Sequence, residues 1–151
     1  MLFEATPSPE ALGWRWPHFR PAELSCRCRG RYCAGEYWHD PGFLDALEAL
    51  RGRVGRPVVI TSGHRCRLWN AALGGAALSQ HLSLAVDVAL GGHDRWALLA
   101  AAEATGFTGI GLARGFIHLD RRRRPARWDY GPTARAAWGL QPTLNSTGAH
   151  T

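Results

Sequence analysis

The sequence has no apolar run long enough to cross a bilayer. Its longest, such as WALLAAA at 96–102, falls far short of the ~20 residues that a spanning helix needs. A soluble chain with no membrane partner is therefore expected. The N-terminus also lacks a basic segment followed by an apolar one; MLFEATPSPE carries Glu4 and early prolines instead. No cleaved secretory signal is expected, and a protein working outside the cytoplasm would need another route there. There is no internal repeat. The paired C-x2-C pattern of common zinc modules is missing, and no aromatic-interleaved basic ribbon or nucleic-acid motif occurs, so no nucleic-acid partner is expected.

What is present suits one domain: 151 residues, 46% of them hydrophobic, are enough to bury one ordinary core. The formal net charge is +6, and the excess lies in arginine, with a block of four at Arg121 to Arg124. Such a block reads as a solvated face or as a patch suited to polyanions, and a carboxylate-rich cell wall would be attracted as well as any other. Three of the four cysteines fall in CRCRGRYC (Cys26, Cys28, Cys33) and one in SGHRC (Cys66). The C-x-C-x4-C spacing leaves a structural metal or cluster, a disulfide, and reduced thiols all open. The neighbours Arg27, Arg29 and Arg31 favour thiolates.

Residues 1–39 are rich in Pro, Gly, Arg and aromatics without sustained periodicity, which predicts an irregular, Cys-containing arm packed on the core. From 40 to 140 a single domain is expected. Asp40 caps a helix beginning at Pro41, with Phe43, Leu44, Leu47, Leu50 and Val54 on one face. RPVVITSG reads as a strand, RLWNAALGG as a short helix closed by Gly74, and LAVDVAL as a second strand. A second long helix follows a cap at Asp94 and ends by Gly106, before the strands GIGLA and FIHLD. Interspersed helices and strands with short links predict an α+β domain whose small sheet is largely antiparallel and flanked by helices. Residues 141–151 have little apolar content and read as a loose tail.

Two strands carry polar residues that need an explanation. In LAVDVAL, Val86, Val88 and Leu90 share one face while Ala85, Asp87 and Ala89 share the other. In GFIHLD, Phe116, His118 and Asp120 oppose Ile117 and Leu119. A buried carboxylate without a partner costs several kcal/mol, so Asp87 must face one. Adding His81 from the turn before its strand brings together two imidazoles and a carboxylate, a set that suits Zn2+ in an open site.

The order VVITSGHRCRLWN, GGAALSQHLSLAVDV, GFTGIGLARGFIHLD, ARW, over about residues 40–130, resembles the zinc D-alanyl-D-alanine carboxypeptidase family. That family includes phage cell-wall endopeptidases and the vancomycin-resistance D,D-dipeptidases. The resemblance implies a zinc peptidase acting on peptidoglycan, with His81, Asp87 and His118 as metal ligands. It also implies that Arg65 of TSGHR contacts the substrate carbonyl or its oxyanion, and that Ser79 and Asn70 shape the substrate cleft. A lysis enzyme or a tail-associated component of a phage or phage-derived particle is the implied setting, with peptidoglycan and tail proteins as partners. Delivery would then be from the virion or from the host cytoplasm to the periplasm.

Two departures stand out. The family pattern S-x-H-x-x-G-x-A-x-D has seven positions from His to Asp, whereas SQHLSLAVD has six and no glycine. A deletion in the loop keeps Asp87 in register; one in the strand would turn its carboxylate to the opposite face. The valines on either side of Asp87 favour the loop. Relatives often carry Asp or Glu three positions before the second histidine, and here Gly115 stands there. Asp120 is the nearest replacement as proton acceptor, against its reading as an ion-pair partner of Arg121 to Arg124 or a cap on the strand end. His39, His64 and His93 are further proton carriers to consider, each by default a surface histidine. The alternative function is a zinc-stabilised wall-binding or tail module that has lost turnover.

Overall fold

The structure is a computed structural model and describes residues 1–141. The expected tail therefore lies, from residue 142 on, outside the described residues. In chain order the elements are β1 (Leu2–Phe3), α1 (Pro21–Leu24), β2 (Tyr37–Trp38), α2 (Pro41–Val54), β3 (Ile60–Ser62), α3 (Arg67–Ala72), β4 (Val86–Ala89), α4 (Arg95–Ala104), β5 (Gly109–Leu112), β6 (Phe116–Asp120), β7 (Ala126–Asp129) and α5 (Pro132–Ala137). The fold is α+β, as the alternation of patterns implies.

Local chemistry explains the long helices. Asp40 accepts from Phe43 N at the start of α2, Pro41 occupies the first turn where no N–H partner is needed, and Gly55 closes the helix in the left-handed region. Asp94 caps α4 by accepting from Ala97 N. The two helices pack together, and Phe43 of α2 meets Phe107, just beyond the end of α4, edge to face at 5.4 Å.

Five strands form the main sheet in the order β3-β4-β6-β5-β7, antiparallel except for the parallel β5–β7 pair. Strand β7 and helix α5 were not expected. ARWD is a four-residue edge segment beside four arginines, with only Trp128 buried, so it carries little of the apolar alternation by which a strand is read. Strand β3 is shorter than RPVVITSG suggests. Pro57 has no N–H to contribute, and the ladder with β4 shifts register between Ile60 and Ser62.

The sheet has one apolar face and one chemical face. Val86, Val88, Leu90, Ile110, Leu112, Ile117 and Leu119 join Leu44, Leu47, Leu50 and Leu98 in the core. On the other face, cross-strand pairing aligns Ser62, Asp87, His118, Gly111 and Trp128 in one row, with Gly109 opposite Asp120 beside it. The arm contributes Trp16, Phe19, Leu24 and Tyr37 to the same core, and β1 pairs with β2. No helix among the described residues is long and apolar enough to cross a membrane.

Candidate metal centre

His81, Asp87 and His118 converge. His81 Nε2 is 3.3 Å from Asp87 Oδ1, and His118 Nδ1 is 3.1 Å from the same oxygen and 3.2 Å from His81 Nε2. A tetrahedral ion with ligand bonds of ~2.0–2.1 Å separates its ligand atoms by about 3.3 Å, so the three atoms are spaced as ligands of one ion. All three residues are buried.

The turn before β4 makes this convergence possible. Residues Gln80–Leu82 form one 3-10 turn, and the Ser79 hydroxyl accepts from His81 N at 3.2 Å. Ser83 then bends the chain at φ −110°, ψ −106°, and β4 starts at Val86 with its valines in the core and Asp87 on the other face. A separation of six positions from histidine to carboxylate thus leaves both side chains at one point.

Hydrogen bonds behind the ligands fix which nitrogens face inward. His81 donates Nδ1–H to the Gly63 carbonyl at 2.7 Å, since a carbonyl can only accept, and this leaves the Nε2 lone pair toward the centre. His118 donates Nε2–H to Asp120 Oδ2 at 2.7 Å, which leaves Nδ1 inward. In this tautomer set three buried acceptors face one another without a shared proton, an arrangement that a cation resolves. The donor set therefore fits zinc.

The charge states agree with that geometry. Burial holds His81 below the ordinary histidine value. Burial would also lower His118, but hydrogen bonds to Asp120 and Asp87 outweigh it and raise the imidazole. Asp87, although buried, is held well below the usual carboxylate range by hydrogen bonds to His118 and His81. A metal ion would compete with protons for the inward-facing atoms of these residues.

Asp120 is fully buried and committed. Its Oδ2 accepts from His118 Nε2 and Arg122 Nη2, and its Oδ1 from Arg122 N and Arg122 Nε. All four acceptor positions of the carboxylate are thereby used, and its contact with His118 is through the ring nitrogen that does not face Asp87. The geometry places it as the orienting partner of a ligand, with the Arg122 ion pair that the arginine block suggested. Arg122 in turn lies over the Trp128 ring at 4.6 Å.

Arg65 borders the centre, its Nη2 3.6 Å from Asp87 Oδ2. Its Nε donates to Ser62 Oγ and its Nη1 to Asn70 Oδ1, while Arg65 N donates to His81 O. Asn70 is buried and also donates to Ala76 O. Ser79 is buried as the cap on the His81 turn. Of the other histidines, His64 is buried, contrary to its default surface reading, and is held between Glu36 Oε1 and Ser83 O. His39 bonds the Tyr37 hydroxyl and His93 the Pro57 carbonyl, both away from the centre.

The four cysteines form a second cluster. All are free thiols, and the sulfurs of Cys26, Cys28, Cys33 and Cys66 lie within 4.8 Å of one another.

Several supporting residues escaped sequence reasoning: the Gly63 carbonyl and the two glycines of β5. A Cβ at Gly109 would occupy the place of Asp120 Oδ1 and Arg122 Nε, and one at Gly111 would press on Trp128 and Tyr130. The G-x-G alternation in GIGLA was their signal, since glycine at every second strand position marks a close approach on one face.

A family model described as Peptidase M15 matches residues 17–120, which contain all three inward-facing ligands and Arg65. The chain belongs to the peptidase M15 family. M15 peptidases are zinc-dependent metallopeptidases, in keeping with the donor set of His81, Asp87 and His118. The match begins inside the arm, so the likeness of this M15 chain to its family extends upstream of residue 40. No curated protein matches the chain.

Proposed function

We propose that this M15 chain is a zinc peptidase that hydrolyses stem or cross-bridge peptides of peptidoglycan, as a D,D-carboxypeptidase or endopeptidase. The observation that carries the reading is the convergence of three buried lone pairs from His81, Asp87 and His118 beside the guanidinium of Arg65. When bound there, zinc lowers the pKa of a water toward neutrality and polarises a scissile carbonyl. The chain's own residues do the rest. Asp120 and the Gly63 carbonyl keep both imidazoles in the ligating tautomer. Arg65, positioned by Ser62 and Asn70, meets the carbonyl oxygen as it gains charge, a role worth roughly 3 kcal/mol in comparable sites.

Substrate class rests on charge and on the resemblance to wall peptidases. Gln80 and Arg121 to Arg124 line a surface hollow next to the His81 turn, which suits the free carboxylates of stem peptides. The resemblance to phage endopeptidases supports a place in a phage or phage-derived particle, with tail proteins as partners.

One observation favours a second reading, a wall-binding module without turnover. Gly115 stands where relatives carry an acidic proton acceptor, and Asp120 is already saturated. The test is muropeptide release from purified sacculi by the zinc-loaded chain, followed by mass spectrometry, beside Asp87→Ala. Release by the parent and none by the variant is expected. Wall binding with no release by either would discard the peptidase and select the module.

A further inference from the structure

We propose that Cys26, Cys28, Cys33 and Cys66 bind a second zinc ion in a closed, structural tetrathiolate site, separate from the His81–Asp87–His118 centre. Three of the sulfurs come from one loop of the arm; the fourth comes from the N-cap of α3. The four converge on one point, all within 4.8 Å, with Cys28 and Cys33 3.5 Å apart. A tetrahedral zinc with bonds of ~2.3 Å to sulfur spaces its ligands by about 3.8 Å. Two bridges would require only two pairs of cysteines; a single ion requires the four-fold convergence seen here.

Two of the sulfurs already receive backbone hydrogen bonds, Glu36 N donating to Cys33 Sγ and Cys66 N to Cys26 Sγ, each at 3.4 Å. Arg27, Arg29 and Arg31 alternate with the loop cysteines in sequence, and basic neighbours favour thiolates. The loop accepts a backbone cost to close. Arg29 is the one non-glycine residue with positive φ among the described residues (57°), and Gly30 follows it at 79°. A non-glycine residue in that region is strained and persists where its surroundings hold it.

Chemistry and burial choose the ion and its role. Four soft thiolates in a tetrahedral set select zinc or iron over oxygen-seeking cations, and zinc needs no redox partner. Cys26, Cys28 and Cys66 are buried, so the site leaves no open position for substrate and acts structurally. Its position gives it a purpose. Cys66 directly follows Arg65, and the arm meets this segment through His64 N to Leu24 O and Cys66 N to Cys26 Sγ. The ion ties the arm to the stretch that carries Arg65 and the Gly63 carbonyl, and so fixes both from behind.

The test uses the full chain and Asp87→Ala, which disables the first centre. Metal analysis should find two zinc ions in the parent, one for each cluster, and one in the variant. After exchange into cobalt(II), both proteins should show sulfur-to-cobalt charge-transfer absorption in the near ultraviolet, which a site of two imidazoles and a carboxylate lacks. A cobalt-loaded parent without that absorption overturns the proposal, as does an intact mass reduced by the hydrogens of a disulfide. Iron in place of zinc overturns the assigned metal. A thiolate–cobalt spectrum in a chain that releases no muropeptides would count against the peptidase reading alone.

Discussion

His118 and Asp120 stand two positions apart on β6, on the same face, and the imidazole Nε2–H of one meets the carboxylate of the other at 2.7 Å. The pairing turns Nδ1 inward and gives Asp120 its work.

Replacing that carboxylate by an amide tests the pairing. Asp120→Asn keeps the shape but weakens control of the His118 tautomer, and zinc affinity should fall about 10–100-fold with the fold kept. Competition with a chelator measures it. Asp120→Ala also strands the Arg122 guanidinium and should cost about 3–5 kcal/mol of stability by denaturant unfolding, the range for breaking buried pairs.

Acid should act through the same groups. Burial alone would raise the Asp120 carboxyl, but hydrogen bonds from Arg122 and His118 hold it below its usual range, and Asp87 is likewise depressed. A depressed carboxyl contributes stability that is full above its unfolded pKa of about 3.9 and is lost as pH falls toward the folded value. The melting temperature of the zinc-free chain should therefore drop as pH falls below about 4, and less steeply in Asp120→Asn.

Gly109 opposes Asp120 across the β5–β6 ladder. Gly109→Ala would push a methyl into Asp120 and Arg122, so it should cost about 1–3 kcal/mol as overpacking does and also weaken zinc. Alanine at Gly115, which has open space around it, should do neither. Thermal melts and zinc titration of the two variants separate the effects.

Gly115 also offers a gain. It has no contact within 4 Å of a built Cβ and no positive φ, so a side chain fits without strain. Gly115→Glu restores the acidic residue of the family pattern, and muropeptide release should rise at least tenfold, since a placed general base contributes about 10²–10⁴. An unchanged rate would mean that proton transfer does not limit the parent.

The two faces of the sheet were legible in the sequence, because strand alternation sorts Val86 and Val88 from Asp87, and Ile117 and Leu119 from His118. The two long helices declared themselves through Asp40, Pro41 and Asp94. What stayed hidden depends on partners distant in sequence: β7 joins β5 across the intervening β6, and the β5 glycines matter only once Asp120 and Trp128 lie against them. Asp120 itself was read two ways, since spacing places it near His118 without saying which ring nitrogen it meets. For the turn between His81 and Asp87 the flanking valines favoured a deletion in the loop, and the register itself belongs to the pairing of β4 with β6.

That one ion joins His81, Asp87 and His118 despite the shortened turn is the central claim. A crystal structure of the zinc-loaded chain, with anomalous data at the zinc edge, addresses it directly. A peak is expected about 2.0–2.2 Å from His81 Nε2, a carboxylate oxygen of Asp87 and His118 Nδ1, with Asp120 on the opposite ring nitrogen. Zinc held by another ligand set, or Asp87 turned into the core with no peak beside it, would contradict it.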